Sequence, residues 1–172
     1  VTGVQTCALP IWARRTELPN RNRSVALVAL AAVVMSALPL WNQAMVPSSG
    51  LLDGALVSNH LTVLFKAVVL VLTGLAVVLS MEHDIGDHIG EYYAVLLFGA
   101  IGMTVLVSSE ELITIFVALE LLSLCLYILT ASQKRLLRSQ EAALKYFMFG
   151  AISSAFLLFG MSYLVGISGT TY

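Results

Sequence analysis

The apolar residues of this chain lie in long, nearly unbroken runs separated by short polar segments, instead of alternating with polar ones. Five runs stand out: Val25 to Trp41, Leu61 to Met81, Tyr92 to Ser109, Leu112 to Thr130 and Ala142 to Ile167. An α-helix rises about 1.5 Å per residue, so roughly 20 apolar residues cross a hydrocarbon layer about 30 Å thick. Each run is of that order and is predicted to be a transmembrane helix. Pro47, Gly50, Gly86, Gly90 and nearly all the charges fall between the runs. Lipid offers no partner to a free amide, so a span must satisfy its backbone internally, and no ten-residue alternation of a membrane barrel occurs. The pattern predicts an all-α integral membrane protein, a five-span helical bundle.

Composition agrees. Of the 172 residues 59% are hydrophobic and 11% charged, against roughly a quarter charged in a soluble domain. The mean hydropathy is +0.91. A net charge of −1 leaves no basic excess to hold a phosphate backbone, so nucleic-acid binding is not expected. Cys7 and Cys125 are far apart, the second within an apolar run, which makes neither a disulfide framework nor a cysteine metal cluster. The opening, Val1 to Ile11, has no helical period and resembles translated sequencing adapter. It is read as a non-native leader, residues 12–172 as a partial transmembrane domain, and the chain as a fragment.

Counting spans places Arg14 to Arg23, the loop Glu82 to Glu91, and Lys134, Arg135 and Arg138 on one side of the membrane. The opposite side holds no Lys or Arg, so the positive-inside rule makes the basic side cytoplasmic. The arginines followed by VALVALAAVV also fit a signal peptide. Its cleavage would leave the orientation of the other four spans unchanged.

Charges inside spans are the candidates for chemistry. Glu120 is the ninth of nineteen residues from Leu112 to Thr130, roughly 12 to 15 Å from either end of the run. Placing an acid there costs about 2.5 to 3.5 kcal/mol, so it is expected either to be protonated or to be paired. Desolvation raises a carboxyl pKa and a nearby cation lowers it, so a site whose cation comes and goes binds and releases a proton. Ser123 and Tyr127 share its helix face and are placed to hold a short water chain. The plainer alternative is a permanently protonated Glu120 bonded to a neighbouring helix. Lys145, four residues into the last run, is within snorkelling reach of the cytoplasmic surface and follows Glu141 in the favourable order for a helix ion pair. It is read either as that surface pair or as a proton-uptake residue; direct contact with Glu120 is not expected, because Glu120 is roughly 10 Å deeper. A lysine elsewhere, beyond Tyr172 included, is the better partner. Lys66 is a secondary candidate, near the opposite surface.

His83 and His88, in the acidic loop, match no strong metal-ligand spacing, and His60 reads as a boundary residue. Gly99 and Gly102, with Gly150, Ser153, Ser154 and Gly160, permit close helix approach. No dinucleotide fingerprint, P-loop, catalytic triad or haem-attachment pattern occurs.

Two strings, EYYAVLLFGAIGMTVLVSSEELITIFVALELLSLCLYIL and EAALKYFMFGAISSAFLLFGMSYLVGISG, resemble the subunit N family of bacterial NADH:quinone oxidoreductase, respiratory complex I. The resemblance runs from about Trp12 to Tyr172. It implies the second to the sixth helix of a longer antiporter-like fold of inverted repeats, truncated at both ends. It also implies that Glu120 and Lys145 are proton-relay residues, and that the lysine partner of Glu120 lies in a helix not included here. The function implied is part of the proton path coupled to electron transfer from NADH to quinone. NADH, flavin, iron–sulfur clusters and quinone would belong to partner subunits, with no cofactor or metal on this chain. Its partners would be the other membrane subunits of the complex and the lipid of a bacterial inner membrane. A cation/proton antiporter of related fold and a non-catalytic membrane scaffold are the alternatives.

Overall fold

The computed structural model describes the backbone of residues 3–45, 55–82, 89–134 and 136–172, and the side chains of those residues from 22 onward, excepting 44 and 45. Five helices follow one another: α1 (Gly3–Met45), α2 (His60–Ser80), α3 (Ile89–Ser108), α4 (Leu112–Thr130) and α5 (Leu137–Ser168). All five contain a stretch long and apolar enough to cross a membrane, that of α1 being Asn22–Gln43. The chain is a multi-pass membrane protein.

The bounds of α4 coincide with the run expected, and those of α2 lie one residue away. The other three helices extend into polar sequence. Helix α1 is helical from Gly3, well ahead of Val25, and α5 begins at Leu137, five residues ahead of Ala142. On the added turns of α5, Arg138 and Glu141 are exposed with no cost to the backbone bonding, so apolarity marks the membrane-buried part of a helix and not its ends. Helix α5 stops where Gly169 takes a left-handed conformation (φ 72°) and its N–H bonds the Val165 carbonyl at 2.8 Å. A Cβ at that φ would be strained, so Gly is the residue that closes the helix.

Helices α1, α2 and α3 pack on one another, α4 packs on α3, and among the described elements α5 touches α4 alone. A small core of Ala26, Ala29, Val77, Ile89 and Tyr93 joins the first three helices. Polar ties close both ends of the bundle. At one, the Tyr93 hydroxyl donates to Asn22 Oδ1 (3.1 Å), and Asn22 Nδ2 donates to the carbonyls of Met81 (3.1 Å) and Ser80 (3.4 Å). At the other, the segment before α2 lies against the end of α3, Val57 N–H bonding Ser108 O (2.8 Å) and Glu110 N–H bonding Ala55 O (3.0 Å). There, too, Leu112 N–H bonds Thr171 O (2.9 Å), and Glu111 accepts from Thr114 (2.8 Å) and Thr171 (3.2 Å). These bonds fasten α4 and α5 as an antiparallel hairpin. Helix α5 has no buried residue, so its apolar surface faces outward all round except along α4.

Candidate functional site

Glu120 stands half-buried at the middle of α4. The face of α4 turned to α3 is fixed by two glycines. A Cβ on Gly102 would meet the Ala118 carbonyl and the Leu122 amide at 3.3 Å, and one on Gly99 would meet Cys125 Cβ at 3.5 Å. Ala118 and Cys125 are accordingly buried. At 3.6 residues per turn Glu120 lies about 160° around the helix from Ala118 and about 20° from Tyr127, so it belongs to the side that carries Tyr127. That side faces α5: the Tyr127 ring meets Tyr146 (centroids 4.9 Å apart) and Phe147 (5.7 Å), both edge-on.

The hydroxyl of Tyr127 sits over Gly150, where any Cβ would collide with it and with the ring. The missing side chain lets the phenol lie between α4 and α5. Ser123, half-buried, falls between Glu120 and Tyr127 on the same side of α4. The three polar groups the sequence put on one face therefore form a stripe at the α4–α5 boundary. Among the described residues no hydrogen-bond donor or cation reaches the Glu120 carboxylate, which lies mid-span without the stabilisation that a charge there requires.

Lys145 is not brought to Glu120. Its ammonium pairs with Glu141 one turn back at 2.5 Å, with 67% of the lysine and 58% of the glutamate side chain exposed. This is the surface ion pair that the i, i+4 spacing suggested, standing at the cytoplasmic end of the Tyr127 contact if the basic side is cytoplasmic. Lys66 is further removed: α2 packs on α1 and α3 and makes no contact with α4, so α3 stands between the two residues. Lys66 instead lines a cavity of about 330 Å³ between the ends of α1, α2 and α3. His60 is the exposed first residue of α2. His83 and His88 lie outside the described residues. Of the small residues, Gly99, Gly102 and Gly150 sit at helix contacts, whereas a Cβ on Gly160 would meet nothing within 4 Å among the described residues.

Sequence reasoning missed the Asn22–Tyr93 tie and the Lys66 cavity. Asn22 sits among arginines and reads as a polar flank; only its position on a helix that starts earlier puts it inside the bundle. The cavity joins residues from three helices and a loop, which no spacing along the chain announces.

Residues 109–172, which contain Glu120, Tyr127 and Lys145, match a family model described as NADH:quinone oxidoreductase/Mrp antiporter, TM. NADH-quinone oxidoreductase subunit N 2 of Acidobacterium capsulatum is 42% identical over 169 residues, covering 91% of this chain and 33% of that protein. The chain is similar to part of subunit N. Subunit 2 of the NAD(P)H-quinone oxidoreductase of Thermosynechococcus vestitus is 38% identical over 146 residues, 84% of this chain and 28% of its own. Respiratory complex I from Thermus thermophilus contains a chain that superposes with a TM-score of 0.73 at 29% identity, over 87% of this chain and 33% of that one. A chain of an archaeal membrane-bound sulfane sulfur reductase shares the fold, with a TM-score of 0.71 at 22% identity over 95% of this chain and 37% of that one. The chain thus spans about a third of the length of the curated relatives it matches.

Proposed function

We propose that, within the complete protein, this segment supplies part of the proton path of a proton-translocating NADH:quinone oxidoreductase, with Glu120 as the proton-carrying group. The observation that carries the proposal is the position of Glu120: a carboxylate in the middle of a membrane span, on one stripe with Ser123 and Tyr127, in a segment homologous to subunit N. A mid-span carboxyl without a fixed counter-ion is stable when protonated and ionises when a cation approaches, so moving a lysine toward it or away from it makes it release or take up a proton. The cation would come from the rest of the protein. Lys145, in its pair with Glu141, serves uptake at the cytoplasmic surface, and Lys66 is a secondary candidate on the far side of α3.

On this reading the electron carriers and quinone belong to partner subunits, this chain holds no cofactor or metal, and its neighbours are other membrane subunits of the complex. Residues 12–172 form part of the translocating domain, in a bacterial inner membrane with the basic loops cytoplasmic. The test is Glu120→Gln in the complete protein within its complex. The substitution keeps size and polarity but cannot ionise, so NADH-driven proton pumping is expected to fall at least tenfold. Full pumping by the assembled variant would sink the relay role. Glu120→Leu, which also removes hydrogen bonding, separates a scaffold function: loss of assembly with Leu alone and intact transport with Gln would assign Glu120 to helix packing.

The matched family description also includes Mrp antiporters, which favours cation/proton exchange as the second reading. Sodium-dependent proton exchange in vesicles without NADH would establish it in place of the first.

A further inference from the structure

The cavity beside Lys66 has a composition suited to an anion at membrane-interface depth. It opens between the C-terminal end of α1, the first turns of α2, the end of α3 and the segment before α2. Lys66 is six residues, about 9 Å, into α2. A helical side chain leans toward the N-terminus, so the ammonium lies near the level of the headgroups. Among the described residues no carboxylate lines the cavity and nothing accepts a hydrogen bond from Lys66. The other hydroxyls there are committed to their own helices: Ser36 donates to Val33 O (2.6 Å), Thr104 to Ile101 O (2.8 Å) and Ser108 to Thr104 O (2.9 Å). The exception is Ser58, whose buried hydroxyl has no hydrogen-bond partner among the described residues. The site therefore offers a cation and an unused donor, with Gln43 at its rim and apolar walls from Pro39, Leu40, Leu70 and Val105.

Such a site fits a ligand with two anionic oxygens and an apolar body. The Lys66 ammonium disfavours a metal cation, and among the described lining residues there is no carboxylate to hold one. A free inorganic anion would gain nothing from the apolar walls. We propose that this cavity binds the phosphodiester of an anionic phospholipid from the leaflet on the α2 N-terminal side, Lys66 pairing with one oxygen and the Ser58 hydroxyl donating to another. The glycerol and acyl carbons lie against Pro39, Leu40 and Val105. The bound lipid holds the ends of α1 and α3 together, where among the described residues of the cavity neither helix has a direct polar bond to the other. The proposal requires the membrane orientation of the helices but not the proton path, so its failure and that of the Glu120 reading are separate results.

The complete protein is reconstituted into vesicles of phosphatidylcholine with a minor fraction of phosphatidylglycerol, extracted again, and its retained lipid measured by mass spectrometry. Phosphatidylglycerol is expected to be enriched over its bulk fraction in the unaltered protein and in Lys66→Arg. Enrichment should fall about fivefold in Lys66→Gln, by a smaller factor in Ser58→Ala, and not at all in Lys134→Gln, a loop lysine paired with Glu91. Equal enrichment in Lys66→Gln and the unaltered protein overturns the proposal and points to a carboxylate of another polypeptide as the counter-ion. Displacement of the lipid by inorganic phosphate, and not by chloride at the same ionic strength, overturns it in favour of a free anion. If Lys66→Gln does not accumulate, Ser58→Ala decides: undiminished enrichment overturns the proposal.

Discussion

A buried polar side chain in this bundle is stabilised by a named partner or is left without one, and the difference marks its role. Asn22 and Tyr93 are of the first kind. Both are buried, and the phenol joins α3 to α1 while the amide joins α1 to the end of α2. Tyr93→Phe leaves Asn22 Oδ1 without that donor, and is expected to lower stability by about 1 to 2 kcal/mol, read as a lower melting temperature in detergent. An unchanged melting point would mean that water or lipid replaces the phenol. Half-buried Glu120 and the buried Ser58 hydroxyl have no such partner among the described residues, and each is proposed to bind something that moves: a proton for one, a lipid for the other. Glu120 was legible in the sequence because a charge in an apolar run needs no neighbours to be conspicuous. Ser58 was not, because its significance comes from burial against residues far from it in the chain.

At the scale of elements, the runs of apolar residues announced the five helices, while their ends were set by chemistry that hydropathy does not weigh. Leu137 starts α5 ahead of its apolar run because Arg138 and Glu141 tolerate a helical backbone as well as a loop. The contacts between helices depend on individual glycines. Gly102 lies against backbone atoms of α4, which cannot turn aside as a side chain can. Gly102→Ala is expected to push α3 and α4 apart by a few tenths of an ångström and to cost about 1 to 3 kcal/mol. Gly160→Ala, on an open face, serves as the comparison in the same thermal unfolding series, with little change expected unless the rest of the protein packs there. Equal effects of the two substitutions would show that the α3–α4 contact is looser than its geometry indicates.

Across the whole molecule, the helices alternate in direction, so the end of one lies beside the start of the next. The α4–α5 turn and the start of α3 share one side, where Lys134 pairs with Glu91 at 3.5 Å. The other side carries Glu110, Glu111 and the close of α5. In a Cys7→Ser background, Gln133→Cys is expected to react with a membrane-impermeant maleimide only from the cytoplasmic side and Glu110→Cys only from the opposite side, Cys125 being buried against α3. Reaction of Gln133→Cys from the outside would reverse the orientation and with it the assignment of Lys145 to the cytoplasmic surface.

The sequence by itself determined the solvent of this protein, the number of its spans and the residue most costly to bury. Each follows from summing transfer free energies along a single segment, and no other segment changes the sum. Only the tertiary structure decided that Tyr127 lies over Gly150, that α3 divides Lys66 from Glu120, and that the buried Ser58 hydroxyl shares a cavity with that lysine. Lipid is as apolar as a leucine side chain, so hydropathy does not choose one helix neighbour over another. That choice rests on small residues and a few hydrogen bonds, whose partners are distant in the chain and meet only when the bundle is assembled.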